Sequence, residues 1–539
     1  MNIELNLKQK IKKVFDDLGH PIAIEDIVIE HSRDTSHGDY ASNVAMKNSR
    51  LFAKSPREVA QEIIKHLDME DIEKVEIAGP GFINFFIKND SLQAIIAKVV
   101  EQGNNFGSGQ QKNKKINVEF VSANPTGELH VGHARGAAIG DSICRILSFA
   151  GYEVTREYYI NDAGSQITHL AESIQARYKQ QLGLKADMPE DGYHGEDIKQ
   201  IAKKIIEEIG DKALTMSDPI AYFKERGMAL ELDRIKEDLR EFGIVFDVFS
   251  SELKVRSNGA VEKEIEFLKP HIYQDGEALV LKTTDFVDDK DRVIKKSDGQ
   301  YTYFMPDIVY HVDKLSRGFD LLIDVLGADH HGYINRMKSA LMMHGYSADV
   351  LEIELIQMVR IIKDGQEVKA SKRTGNAITL RELFEEVGVD STRYLFAMRA
   401  ASGHLDFDMD LAVEQSANNP VYYAQYAHAR LCSILQQGSD IAIDVSGEKL
   451  GKESETALLK QLNQFQIIVQ DAARERAPYK ITNYIHDLAE CIHHFYTECR
   501  VIDIEHPDVS GSRLALCLAS KQVLRNALDL VGVSAPQKM

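Results

Sequence analysis

The sequence predicts a multidomain α/β protein: a doubly wound domain interrupted by an insertion, an α+β unit before it and an all-α helical bundle after it. Three observations predict this. At 539 residues the chain is too long for one hydrophobic core and should form roughly two to four domains. Between residues 115 and 164 a strand, a glycine-bearing turn, a helix and a second strand follow one another, which is how a doubly wound nucleotide-binding sheet begins. From about residue 410 to the end, the apolar residues keep helical spacing.

Taken in order, residues 1–110 form the α+β unit. Ser55-Pro56-Arg57-Glu58 reads as a capping box with proline at the first helical position, opening a helix over Val59–Leu67. Residues 75–78 and 82–87 alternate as strands around the turn Gly79-Pro80-Gly81. The polar stretch 107–115 reads as a linker. In the second domain, residues 111–385, Lys115–Val121 is a strand. Gly132–Ala150 is a helix with Ala134, Gly136, Ala137, Ala138 and Gly140 giving it a close-packing face. Glu153–Ile160 is the next strand, followed by Asn161-Asp162-Ala163-Gly164. An insertion spans about 165–300, helical over about 194–242, with strands near 277–304. Asp320–Gly327 reads as a buried strand ending at Ala328-Asp329-His330-His331. Residues 386–410 connect to the bundle, 411–539, where helices are expected over 421–437, 455–477 and 481–499.

No uninterrupted apolar run is long enough to span a bilayer. The first residues lack an apolar signal region, and Asp16 and Asp17 argue against a transit peptide, so a cytoplasmic protein is expected. The five scattered cysteines (Cys144, Cys432, Cys491, Cys499, Cys517) form no C-x-x-C pair; reduced thiols and no structural zinc are expected. The net charge of −19 opposes a uniformly basic DNA or RNA binder, but phosphate contacts need basic surface only locally.

Two motifs outweigh the charge. His130-Val131-Gly132-His133 follows a strand and a Pro-Thr-Gly turn and opens a helix. With 19 histidines and 35 glycines in the chain, chance would supply H-x-G-H about 0.04 times. A helix N-terminus offers free N–H groups and partial positive charge to a phosphate. Gly132 leaves room for a ligand, and both imidazoles can donate to phosphate oxygens. Lys369-Ala370-Ser371-Lys372-Arg373, followed by Gly375, is by itself a solvated charged loop. Paired with the histidines it becomes a clamp in which Lys372 meets charge on a leaving pyrophosphate. No P-loop occurs.

Across nearly its whole length the chain resembles the arginyl-tRNA synthetases of class I. His130–His133 matches the HIGH motif and Lys369–Arg373 the KMSKS loop, the latter departing at Ala370 and Arg373. Further matches are Ser122-Ala123-Asn124-Pro125, Asn161-Asp162-Ala163-Gly164, Gly327-Ala328-Asp329-His330, Tyr426-Ala427-His428-Ala429-Arg430 and Met539.

The resemblance implies a Rossmann-like catalytic domain, an N-terminal domain touching the tRNA D-loop and a C-terminal anticodon-binding domain. It implies ligation of L-arginine to tRNA(Arg) through arginyl-adenylate, consuming ATP with Mg2+, with tRNA needed even for activation. His130, His133, Lys369 and Lys372 would be catalytic. With Gly132 and Ser371 they would bind ATP. Ser122 and Asn124 would hold the substrate's α-amino end, and Glu252, Tyr303, Asp307 and Asp329 would complete the arginine site. Carboxylates suit a planar guanidinium with five donors and reject lysine and neutral isosteres, so no editing domain is required. Phe82, Asn84, Tyr426, Arg430 and Met539 would contact tRNA, by stacking and edge hydrogen bonds. A monomer with no membrane or DNA partner is expected. Three alternatives are weighed. Another class I synthetase such as the cysteinyl enzyme would want zinc ligands. A small-substrate nucleotidylyltransferase would not need the helical C-terminal third. An RNA-binding regulator that had lost catalysis would not need His130, His133 and Lys372.

Overall fold

The computed structural model describes residues 3–31, 38–257, 259–368 and 377–539. The N-terminal unit is a four-stranded antiparallel sheet in the order Ile29–His31, Tyr40–Ser42, Phe82–Ile87, Ile72–Ala78, packed by four helices (Ile3–Asp17, Val44–Phe52, Pro56–His66, Asn89–Gln102). The capping box forms as expected: Glu58 N–H donates to Ser55 Oγ and Ser55 N–H to the Glu58 carboxylate at 2.8 Å. The last of these helices docks on the bundle, where Gln93 Nε2 donates to the Leu450 carbonyl at 2.9 Å.

Five parallel strands form the central sheet, in the order Leu351–Ile356, Leu321–Gly327, Lys115–Glu119, Glu153–Ile160, Val248–Ser251. The chain runs outward from Lys115–Glu119 to one edge, then returns and builds outward to the other. The order therefore reverses between Lys115–Glu119 and Leu321–Gly327, and the crevice beyond their carboxyl ends is where such sheets bind ligands.

One expectation is corrected here. The insertion read as a single stretch over 165–300 is divided, because Val248–Ser251 within it is an edge strand of the central sheet. Its four residues are all half-buried, so neither alternation nor a continuous apolar run marks it. Before that strand, three helices (Ser165–Gln181, Glu196–Ile209, Pro219–Glu241) close around their own core of Leu170, Ile174, Tyr178, Ile201 and Phe223. After it, small strands and the helix Phe304–Ser316 enclose a second core. A large core runs continuously from the N-terminal unit through the sheet into the bundle.

Four long helices make the bundle: Pro420–Gln437, Glu453–Glu475, Pro478–Glu498 and Pro507–Leu530. Three begin with proline at the first helical position, where its missing N–H costs nothing. All five cysteines are free thiols.

The helix Val131–Phe149, which carries the histidine motif, is pinned along its length. Gly140 faces the strand exit so closely that a Cβ there would sit 2.5 Å from the Phe120 ring. Arg135, fully buried, donates to the carbonyls of Gln357, Ala400 and Gly403 at 2.8–3.0 Å. Nearly two turns further on, buried Asp141 accepts from Arg145, Arg156 and buried Arg393. Arg393 in turn donates to the carbonyls of Phe242 and Val531, tying the helix to both the insertion and the end of the bundle.

Candidate active site

The histidine motif caps its own helix. His130 is the N-cap, and its Nδ1 accepts from the Gly132 N–H at 3.1 Å. The His130 N–H donates to His133 Nδ1 at 3.3 Å, and the two rings stack with centroids 3.8 Å apart. Both Nδ1 atoms thus act as acceptors, which places the proton of each neutral ring on Nε2 as a donor. Burial holds the His130 pKa below its ordinary value, and burial with the neighbouring His130 pushes His133 down to about 4. At neutral pH the pair is uncharged and offers two N–H donors beside a helix N-terminus, an arrangement suited to phosphate oxygens.

Lys369, Ser371 and Lys372 lie outside the described residues. The chain that follows them is nevertheless fixed against the first motif. Val131 N–H donates to the Ile378 carbonyl at 2.9 Å, Leu380 N–H donates to the Leu129 carbonyl at 2.6 Å, and His130 bridges to Thr379. Leu129–Val131 and Ile378–Leu380, more than two hundred residues apart in sequence, are stitched together by backbone.

Between the strand and the motif the chain bends through Val121 (φ +67°) and Ser122 (φ +40°). A left-handed conformation is strained for a β-branched residue. Ser122 Oγ fastens it by donating to Glu119 at 2.9 Å and accepting from the Tyr159 N–H at 3.1 Å. Asn124 Nδ2 donates to Gln166 at 2.6 Å. Asn124, Gln166, Glu252, Arg256, Gln300 and Tyr303 line one cavity of 670 Å³. Tyr303 stands 80% exposed at its mouth, immediately before the helix Phe304–Ser316.

A buried network of charged groups lies within electrostatic reach of Glu252. Lys314, fully buried, pairs with Glu119 and, at 3.0 Å, with Asp324. His311 Nε2 meets Asp324 at 2.7 Å, and its Nδ1 meets the Asp307 carbonyl at 2.7 Å. The Asp307 carboxylate itself has no hydrogen bond or ion pair with any described residue. Burial, and the charges of Glu119, Glu252 and Asp324, push it up to about 7 against the pull of His311. Burial also raises the Glu252 carboxyl, opposed by Arg256, with which it pairs. Two carboxylates under desolvation, one of them lacking a cation, form a site that a cationic planar group would relieve.

Of the expected arginine residues, Asn124, Glu252 and Tyr303 share the cavity, Asp307 lies within charge reach of Glu252, and Ser122 is at the base of the bend. Asp329 stands apart, exposed on the turn after Leu321–Gly327 and bonded to His330 at 3.0 Å. Of the expected tRNA residues, Phe82 is exposed at a strand start, whereas Asn84 is 5% exposed inside the antiparallel sheet. Tyr426 and Arg430 lie together on the bundle, Arg430 donating to the Tyr426 hydroxyl at 2.8 Å and lying over the Tyr496 ring. Met539 is exposed at the end of the chain.

Sequence reasoning missed Glu119, Tyr159, Asp162, His311, Lys314 and Asp324. The signal was present for Asp324, a carboxylate between Ile323 and Val325 in an apolar strand, which demands a buried partner. Lys314 and His311, three apart on one helix face, were the available partners.

Comparison with known proteins agrees with this geometry. Residues 1–87 match the family described as the arginyl-tRNA synthetase N-terminal domain, 95–433 the class I (R) tRNA synthetase catalytic domain, and 424–539 the DALR anticodon-binding domain. The chain is 51% identical to the arginine–tRNA ligase of Anoxybacillus flavithermus over 557 residues and 50% identical to that of Bacillus subtilis over 556 residues. Each alignment covers 100% of both chains. In fold it is similar to the Thermus thermophilus arginyl-tRNA synthetase, with a TM-score of 0.78 at 22% identity over 99% of each chain. A switch-point crevice with a self-capped histidine pair, a cavity holding Asn124, Glu252 and Tyr303, and matches along the entire sequence lead to one assignment: the chain belongs to the arginyl-tRNA synthetase family.

Proposed function

We propose that this chain ligates L-arginine to tRNA(Arg) in two steps. The carboxylate of arginine attacks the α-phosphate of ATP, a carboxylate O–P bond forms, and the bond to the β-phosphate breaks to release pyrophosphate. The 2′-hydroxyl of the terminal adenosine of the tRNA then attacks the activated carbonyl, and AMP leaves. The first nucleophile is already an anion, so positioning and charge stabilisation suffice and no general base is needed.

The observation that carries this reading is the pairing of two features: the cavity that holds Asn124, Glu252 and Tyr303, with the Asp307 carboxyl within charge reach of Glu252, and the histidine-capped helix start at the sheet's switch point. In it, Asp307 and Glu252 receive the guanidinium with Tyr303 as its flat neighbour, and Ser122 and Asn124 receive the α-amino end, with Asp329 at the rim. The Nε2 donors of His130 and His133, with the helix N-terminus at Gly132, receive the phosphates. Lys369, Ser371 and Lys372 complete the set of ATP-binding residues. Mg2+ enters with ATP, held chiefly by its phosphates; among the described residues no group of three or more His, Cys, Asp or Glu is arranged to hold a metal.

For the RNA, Phe82 and Asn84 serve the D-loop, and Tyr426, Arg430 and Met539 the anticodon. The reading takes residues 1–110, 111–385 and 411–539 as the D-loop, catalytic and anticodon domains, joined by 386–410. It places a monomer in the cytoplasm; no helix among the described residues is long and apolar enough to cross a membrane.

The test is arginine-dependent ATP–pyrophosphate exchange with and without tRNA(Arg), with lysine and cysteine as controls. Exchange with arginine in the presence of tRNA is the expected result. Exchange with another amino acid overturns the pocket assignment, and no exchange despite tRNA binding makes the chain an RNA-binding regulator.

A further inference from the structure

We propose that Arg256 is a tethered competitor of the substrate: its guanidinium occupies Glu252 in the empty cavity and must be displaced when arginine binds. The inference rests on the assignment of Glu252 to the arginine site.

Glu252 opens the short helix Glu252–Arg256, and the start of that helix is fixed from the Asn161–Gly164 turn. Asp162 accepts from Ser251 Oγ at 2.6 Å and from the Leu253 N–H at 2.8 Å. One turn later Arg256 reaches back and pairs with Glu252. The partners are unequally held. Glu252 is 3% exposed, whereas the Arg256 side chain is 36% exposed in the cavity lining. Arg256 can leave for water and Glu252 cannot.

The group resting on Glu252 is chemically the group that the substrate carries. An arginine one turn away meets Glu252 at an effective concentration far above that of a free amino acid. The apparent affinity of the cavity is therefore its intrinsic affinity multiplied by the fraction of time Arg256 is away. The second carboxylate, Asp307, has no such occupant, so an incoming arginine meets Asp307 unopposed and contends only for Glu252. A ligand without a cation dislodges nothing. Arg256 thus sets the arginine concentration at which the enzyme fills, and in the empty state it keeps a buried carboxylate from standing unpaired.

The experiment measures KM and kcat for arginine in tRNA-dependent ATP–pyrophosphate exchange with the full chain and with R256M, R256Q, E252Q and R256M/E252Q, each checked for an unchanged melting midpoint. Methionine keeps the apolar stem of the arginine and removes its charge; glutamine is the second variant should R256M fold poorly. The expected result is a KM for arginine about three- to tenfold lower in R256M or R256Q, with kcat/KM rising correspondingly. E252Q should raise KM, and adding R256M to E252Q should lower it no further. An unchanged or raised KM in both Arg256 variants, with E252Q still impaired, overturns the inference and makes Arg256 a positioning residue for Glu252. A KM for arginine untouched by E252Q overturns the assignment of Glu252 and the inference with it.

Discussion

The buried charge network around Lys314 and the aromatic stripe of the bundle hold charge in opposite ways. In the network, Glu119, Lys314, Asp324 and His311 are locked out of water and paired with one another, while Asp307 stays unpaired. On the bundle, Tyr422 and Tyr426 stack with centroids 6.0 Å apart, Tyr426 stacks on His493, and Arg430 lies over the rings of Tyr426 and Tyr496. Tyr426, Tyr496 and Met539 are open to solvent. Buried charges depend on each other, so one change strands the rest. Exposed stacking groups work nearly independently, each contributing modestly to binding a mobile loop of RNA. A small rigid cation calls for the first arrangement and a large pliable polymer for the second.

The sharpest break in that contrast is Lys314→Met. It takes from Glu119 and Asp324 the cation they share, leaving Asp324 only His311, and should cost about 3–5 kcal/mol of stability, read as a large fall in the denaturation midpoint. A loss under about 1 kcal/mol, the value of an exposed pair, would show that the network is wetter than its burial implies.

Asp307→Asn removes the unpaired carboxylate. It should lower kcat/KM for arginine by about 2–5 kcal/mol, from tens to thousands of fold, while the melting temperature of the ligand-free protein holds or rises. Activity and stability moving in opposite directions would separate Asp307 from the network beneath it.

On the bundle, Tyr426→Ala should weaken tRNA binding by about 1–3 kcal/mol, raising KM for tRNA and leaving fluorescence-monitored melting nearly unchanged. A collapse of folding instead would place Tyr426 in the core rather than at an RNA surface.

The smallest effect is a pH dependence. Arginine binds the ionised form of Asp307, whose carboxyl is raised to about 7. Affinity is therefore full above that value and falls as pH drops through it, giving a KM for arginine about tenfold higher at pH 6 than at pH 8. The same shift acts oppositely on the ligand-free fold. A carboxyl raised above its unfolded value adds stability below pH ~4 that is lost as pH rises through 7. His133, held near 4, is neutral in the folded state above pH 6 and should leave the KM profile unchanged; in the stability profile it lowers stability as pH falls through about 6.5, where the unfolded imidazole takes up its proton. D307N should flatten the KM profile.

The motifs were legible because each is local. His130, Gly132 and His133 sit within one helical turn, and the proline, glycine and capping-box signals that bound the helices act over three or four residues. The three-part architecture followed from a change of apolar periodicity along the chain. What stayed hidden was made by tertiary pairing. Lys314 reads in sequence as one more surface lysine until the strand carrying Asp324 lies against it. Val248–Ser251 is too short and too evenly half-buried to declare itself. Asn84 reads as a polar residue at a strand end, yet it lies in mid-sheet, paired with Ala41 on one side and Glu76 on the other, and is almost wholly buried.

The backbone bonds between Leu129–Val131 and Ile378–Leu380 make two helices start at one joint. Val131–Phe149 begins on one side of it, and Leu380–Val387, with its own capping box from Thr379 and Glu382, on the other. The first turn of a helix is ordinarily where fraying begins. Here neither start can open without pulling the other with it, so the phosphate-facing end of the histidine helix opens only as a cooperative unit with chain that lies far away in sequence.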